Sequence, residues 1–221
     1  MDYIGSPTSI MALAGIKRTI KNALGSAPTG GMSSENPGEL VKMIDEFLPS
    51  EDFLAFQRWA YQVDCCKTRA DYQWAEYLVR DFAECKISEP FWSNNPALAP
   101  EAKKFLTQLS GLVDIAEQAA FQLMIYRWQP TSGIGMHTDG NHDTAFTFYL
   151  NDNWDPHWGG DFVYYDNIEA ARRGIGRSIQ PMGNRLMINR GGSDHKITYT
   201  SQTAPERVTA QIFVRRDSPF Q

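Results

Sequence analysis

The chain has 221 residues, 42% of them hydrophobic and 21% charged, with a formal net charge of −5. This composition suits a globular protein with one sizeable core; it excludes disorder over most of the chain, and the charge offers no broad electrostatic surface for nucleic acid or an anionic membrane. Three cysteines, Cys65 and Cys66 adjacent and Cys85 alone, match neither a disulfide framework nor a CxxC metal knuckle, and read as free thiols of a reducing, cytoplasmic compartment.

In chain order, residues 9–24 have the pattern of an amphipathic helix. Ser9 can cap it, Leu13, Ile16, Ile20 and Leu24 form one stripe, and Gly25 can stop it. Such a stripe suits packing on its own domain or on a second copy of the chain, so a homo-oligomer through residues 9–24 is one expectation. The apolar run "IMALAGI" at 10–16 is too short to span a bilayer, and no basic residue precedes it as a signal peptide requires. "GSAPTGGMSSENPG" at 25–38 is a linker by composition. Two regions follow from this: residues 1–38 as helix plus linker, and residues 39–221 as the folded body.

In the body, a short strand is expected around 40–47, followed by a helix that Ser50 caps and that places Phe53, Phe56 and Ala60 on one face. A second helix starts at Pro100, with Phe105, Leu109, Leu112, Val113 and Ala116 in its stripe. From about residue 119 the pattern changes to short runs rich in Tyr, Phe, Ile, Val and Thr, separated by Gly, Asn, Asp and Pro. The runs are "FQLMIYRW", "TAFTFYLN", "DFVYYD", "NRLMINR", "HKITYT" and "RVTAQIFVRR". Helices followed by many short strands predict a mainly β fold, a sandwich or barrel with supporting helices.

The stretch "MHTDG" at 136–140 poses the chemical question. In a strand, residues two apart share a face, so His137 and Asp139 could bind one ion; the alternative is a polar turn between strands. Of the other histidines, His142 in "DGNHD" and His157 in "DPHWGG" have turn surroundings. His195 instead opens the strand-like "HKITYT", far enough along for the sheet to fold back. Two histidines and one carboxylate on one side of a metal leave the opposite positions open, as in non-haem Fe(II) oxygenases, whereas a structural zinc site would be closed and four-coordinate.

The last strand adds an independent signal. Val208, Ala210, Ile212 and Val214 alternate with Arg207, Thr209, Gln211 and Phe213, so Arg207 and Thr209 reach the same space. An arginine fork beside a hydroxyl can hold a carboxylate in a partly buried pocket.

Together, "HTD", the distant His195 and "RVT" resemble the H-x-D…H…R-x-S/T pattern of 2-oxoglutarate and Fe(II)-dependent oxygenases. "IYRWQPTSGIGMHTD", "FYLNDNWDPHWGGDFVYYD" and "NRLMINRGGSDHKITYT" resemble successive strands of the prolyl 4-hydroxylase-like branch. The resemblance covers about residues 39–217 and implies a double-stranded β-helix, or jelly roll, with iron at its mouth. It implies His137, Asp139 and His195 as iron ligands, Arg207 as anchor for the distal carboxylate of 2-oxoglutarate, Thr209 as its helper, and Tyr126 against the co-substrate. Fe(II), 2-oxoglutarate and O2, with ascorbate as a reductant, are the implied cofactors. Succinate and CO2 are the implied co-products of hydroxylation, and the substrate is a protein side chain, such as proline, or a small molecule. Halogenation is disfavoured because Asp139 fills the position chloride would need. Nucleobase demethylation is disfavoured because strand binding wants a basic groove. A non-catalytic metal-binding jelly roll, serving as sensor or structural module, is the competing reading. In the connection "NDNWDPHWGG" at 151–160, Trp154 and Trp158 are the expected substrate contacts, on a loop beside the iron mouth.

Overall fold

The alternation of the last strand divides the molecule into a core side and a cavity side. The computed structural model describes residues 40–74, 85–112, 122–139, 142, 144–190 and 193–214. The chain divides after Asn36, and every described residue belongs to the second unit, Pro37–Gln221. The helix and linker expected over 1–38 therefore lie outside the described residues.

The elements in order are β1 (Val41–Ile44), α1 (Ser50–Gln62), β2 (Lys67–Thr68), β3 (Cys85–Ile87), β4 (Phe91–Trp92), α2 (Pro100–Ser110), β5 (Gln122–Trp128), β6 (Ile134–His137), β7 (Thr144–Tyr149), β8 (Phe162–Tyr164), α3 (Ile168–Arg172), β9 (Arg177–Ile179), β10 (Leu186–Arg190), β11 (His195–Ile197) and β12 (Arg207–Val214). They form two sheets among the described residues. The larger runs β1-β10-β7-β12-β5-β3-β2, with β4 also on β5; the smaller runs β6-β11-β8-β9. The pairings among the described strands are antiparallel and mostly non-consecutive, which gives the double-stranded β-helix.

One face of the larger sheet carries the core. Val208, Ala210 and Ile212 of β12 pack with Leu123 and Ile125 of β5, Phe146 and Phe148 of β7, and Leu186 and Ile188 of β10. Against them lie Phe53, Phe56 and Ala60 of α1, and Ala102, Phe105, Leu106 and Leu109 of α2. The ring of Phe105 sits 4.5 Å from Phe56 and 5.0 Å from Phe148, tying both helices to the sheet. Burying one such ring contributes about 1.5–3 kcal/mol, so this face supplies much of the stability.

The helix ends differ from the sequence expectation. Ser50 is the first helical residue and does not cap with its side chain; Pro49 precedes it, while Glu51 and Asp52 supply negative charge to the first turn. The stripe of α2 ends at Leu109. Gly111 sits at the C-terminal cap, and Leu112, expected inside, is 41% exposed. Val113 and Ala116 lie outside the described residues. The first strand is also shorter than expected, because Glu46 turns with φ 50° and delivers Phe47 and Leu48 to the core. Asn184 clamps that corner, accepting from Leu48 N at 2.9 Å and donating to Leu48 O at 2.8 Å.

Candidate active site

The other face of the larger sheet looks toward the smaller sheet across a cavity of about 440 Å³. Arg207, Gln211 and Phe213 of β12 line it, as the alternation requires.

Strand pairing assembles the histidines. β11 runs antiparallel to β6 with His195 directly opposite His137, so the two rings share a face and lie 4.2 Å apart, centroid to centroid. Asp139 arrives differently from expectation: β6 ends at His137, and the carboxylate reaches the site from the irregular stretch that follows. Its Oδ1 lies 4.0 Å from His137 Nε2 and 3.6 Å from His195 Nε2. One ligand atom from each residue lies within 4.8 Å of the other two, an arrangement able to hold a metal ion.

The protonation of the rings suits that role. His137 Nδ1 lies 2.7 Å from Gly135 O and His195 Nδ1 lies 2.9 Å from Ser193 O. Carbonyl oxygens only accept, so each Nδ1 carries the hydrogen and each Nε2 lone pair is turned toward Asp139. Burial, and then His195 beside it, hold the His137 imidazole below its ordinary pKa, which favours the neutral form that metals require. Phe162 stacks on His195 at 4.8 Å and fixes its plane.

Beyond the histidines lies Arg207, 3% exposed. One guanidinium nitrogen donates to Gly160 O at 2.9 Å, the group lies 5.1 Å from the Trp128 ring centroid, and Nε has no partner. Desolvation pulls its pKa down, with Tyr149 the first of the groups that counter the fall. Tyr149, opposite Thr209 on β7, is fully buried with an unpartnered hydroxyl, and burial pushes the phenol up to about 12. A buried cation with an unpartnered Nε and a buried hydroxyl with no partner are costly unless an anion completes them.

Among the sequence candidates, His137, Asp139, His195, Arg207 and Tyr126 line the cavity. Tyr126 is also core, 5% exposed and packed beside Trp128 and Trp74. Thr209 lies fully buried between Tyr126 and Tyr149, and its hydroxyl accepts from Gln211 Nε2 at 3.4 Å. The tryptophans of the 151–160 connection are placed otherwise than expected, for neither is among the described cavity-wall residues. Trp154 is 3% exposed, donates to Gly159 O at 2.8 Å and meets Trp158 edge-on at 5.3 Å. The connection folds inward because Gly159 and Gly160 adopt φ 68° and 77°; a Cβ on Gly160 would meet Thr200 Cγ2 at 2.9 Å. Its structural output is Gly160 O, delivered to Arg207.

A sequence profile described as the 2OG-Fe(II) oxygenase superfamily matches residues 121–215, the segment that contains all these cavity residues from β5 to β12. Residues 121–215 carry the signature of the 2OG-Fe(II) oxygenase superfamily. Solved structures agree in fold. A Pseudomonas putida prolyl-4-hydroxylase is 17% identical with a TM-score of 0.59, covering 80% of this chain and 92% of that one. A Trichoplax adhaerens prolyl hydroxylase, solved with a hypoxia inducible factor peptide fragment, is 17% identical with a TM-score of 0.57, covering 96% and 94%. HygX from Streptomyces hygroscopicus, solved with nickel and 2-oxoglutarate, is 12% identical with a TM-score of 0.53, covering 84% and 87%. A search of curated protein sequences finds no match.

The oxygenase uses Fe(II) and 2-oxoglutarate, and the residues present fit both: a His-Asp-His cluster with free lone pairs, and two orphaned buried donors, Arg207 Nε and Tyr149 Oη. When bound, the iron and 2-oxoglutarate supply O2 activation by oxidative decarboxylation, with succinate and CO2 as co-products. Four residues of this neighbourhood escaped the sequence reading: Phe162, Tyr149, Asn189 and Asp161. Asp161 has a buried, unpartnered Oδ1, and burial raises its pKa. The "FYLN" and "DFVYYD" strand patterns hinted at the first two; nothing local marked Asn189 or Asp161.

Proposed function

We propose that His137 Nε2, Asp139 Oδ1 and His195 Nε2 hold Fe(II), that Arg207 binds the distal carboxylate of 2-oxoglutarate, and that the oxygenase hydroxylates a protein side chain, with proline the first to test. The observation that carries this reading is the strand register that sets His195 opposite His137 within reach of Asp139. Thr209 and the Tyr149 hydroxyl support the carboxylate beside Arg207, and Tyr126 closes the co-substrate end. Residues 39–221 form the oxygenase domain in this reading. The unpaired thiols of Cys65, Cys66 and Cys85 support a reducing, cytoplasmic setting.

Each side chain then has a physical task. Arg207, out of water, neutralises the carboxylate at low local dielectric, where the attraction is strong. The Gly135 and Ser193 carbonyls keep the histidine lone pairs directed inward. From Arg207 to Phe213 the cavity floor extends over seven residues of β12, roughly 20 Å at strand rise. A five-carbon diacid reaching from Arg207 to the metal occupies one end, which leaves the other for substrate. There Thr147 donates to Gln211 Oε1 at 2.9 Å, fixing the amide, while Phe213 and Met124 offer apolar contact. Rings and aliphatic chains on these walls exclude water and position the C–H bond.

A small-molecule substrate is the second reading, supported by the fold shared with HygX, which was also solved with hygromycin B bound. The test is anaerobic titration with Fe(II) and 2-oxoglutarate, followed by O2 and succinate measurement against prolyl peptides and small molecules. A weak visible charge-transfer band and substrate-stimulated succinate are expected. Absence of both the band and succinate would overturn the proposal.

A further inference from the structure

We propose that Asn189 is a positioning residue that selects which oxygen of the Asp139 carboxylate faces the metal. The inference rests on the reading that His137, Asp139 and His195 hold Fe(II). In β10, Leu186 and Ile188 point into the core, while Met187 and Asn189 point to the cavity. Asn189 is 3% exposed, an unusual place for an amide. Its Nδ2 donates to Asp139 Oδ2 at 2.8 Å. The other carboxylate oxygen, Oδ1, is the one that faces both histidine Nε2 atoms.

The amide orientation follows from chemistry. An ionised carboxylate only accepts, so the edge presented to Asp139 must be the NH2. The same nitrogen lies 3.3 Å from His195 Nδ1, whose hydrogen is committed to Ser193 O, so Asp139 is the acceptor it serves. The amide oxygen of Asn189 is buried without a partner, hence the bond to Asp139 is what orients this side chain.

Asp139 needs that constraint more than the histidines do. Each histidine is locked by an Nδ1 bond and by the paired strands β6 and β11. Asp139 sits past the end of β6, and the terminal torsion of a carboxylate is broad and two-fold. Without a donor on Oδ2, either oxygen can turn to the metal. With Asn189 in place, Oδ2 is held and Oδ1 is the free donor atom. Partners of metal-ligating carboxylates commonly act in this way.

The test compares the wild-type protein with Asn189→Leu, which keeps the branching at Cγ and removes the donor. Co(II) binding is measured by calorimetry and by the visible absorption of the bound ion, without turnover. Asn189→Leu is expected to bind Co(II) roughly 10- to 100-fold more weakly and with an altered spectrum. The metal-free protein should melt no lower than wild type, because the orphaned buried amide oxygen leaves with the side chain. Affinity within twofold of wild type, or an unchanged spectrum, overturns the proposal. So does a lowered metal-free melting point with unchanged affinity, which would make Asn189 a packing residue. If Asn189→Leu does not fold, Asn189→Ala is read by the same criteria. Wild-type binding that survives His137→Ala would overturn the ligand set itself, and the positioning role with it, separately from any Asn189 result.

Discussion

Replacing Arg207 by Met keeps most of the stem and removes the guanidinium, so it isolates the anchoring charge. In the ligand-free protein the change should cost little. The lost bond to Gly160 O and the cation–π contact with Trp128 contribute ~2–4 kcal/mol together. Relief of a desolvated cation is of similar size and opposite sign. With 2-oxoglutarate bound the balance changes, because the carboxylate then lies buried opposite nothing. Truncating one member of a buried, hydrogen-bonded charge pair costs about 2–5 kcal/mol, or roughly 30-fold to several thousand-fold in affinity. The 3% exposure of Arg207 leaves little solvent to screen the loss. Anaerobic calorimetric titration of 2-oxoglutarate at saturating metal measures it. A thermal shift provides a second readout, since ligand at a hundred times its Kd stabilises wild type by about 2.7 kcal/mol. Arg207→Lys should be milder, as a point charge replaces the fork. Affinity in Arg207→Met within threefold of wild type would refute the reasoning. Other arginines are poor substitutes: Arg127 is engaged with Glu206, Arg185 with Asp45, and no other described arginine lines the cavity.

Tyr149→Phe should weaken 2-oxoglutarate about 10- to 150-fold, the loss of one hydrogen bond to a charged group, in the same titration. It should also flatten alkaline destabilisation. Folding holds this phenol to about 12 against an ordinary 10.0, so between those values the unfolded chain has lost a proton that the folded chain keeps. Wild-type stability therefore falls as pH rises through that window, by up to roughly 2.7 kcal/mol, and urea unfolding at pH 9 and pH 11.5 should show a smaller fall in Tyr149→Phe. His137→Ala and His195→Ala should each abolish the anaerobic charge-transfer band, whereas His142→Ala and His157→Ala should retain it; loss in His157→Ala with retention in His195→Ala would mean a different third ligand. Trp154→Ala should cost about 3–5 kcal/mol in chemical denaturation and weaken 2-oxoglutarate through Gly160 and Arg207, with Trp158→Ala milder. Unchanged stability together with impaired substrate-coupled succinate would instead return Trp154 to the substrate wall.

The strand alternation of "ERVTAQIFVRR" was legible in the sequence because its period of two is a local property: each residue's face follows from its neighbour's. The same holds for the apolar faces of α1 and α2, and for the turn surroundings of His157. The HTD spacing and a distant histidine opening a strand pointed to His137, Asp139 and His195, which the structure brings within 4.8 Å of one another. Register was not legible, since nothing local says that His195 pairs with His137 rather than with a residue two places away. The strand reading of HTD also misplaced the mechanism by which Asp139 arrives, because the end of β6 depends on where β11 stops pairing. Short strands such as Ile134–His137 and Cys85–Ile87 carry too few residues to show a period. Tryptophans beside glycines look alike whether they line a cavity or pack behind it. Trp154 went inward because Gly159 and Gly160 dock on Tyr199 and Thr200, some forty residues on. Asn189 carries no local mark of its own; its bond to Asp139, fifty positions earlier, exists only in the folded sheets. Period, capping composition and residue chemistry are short-range and were written in the chain; which oxygen, which ring and which strand meet depends on contacts between distant segments, and only the folded sheets decide it.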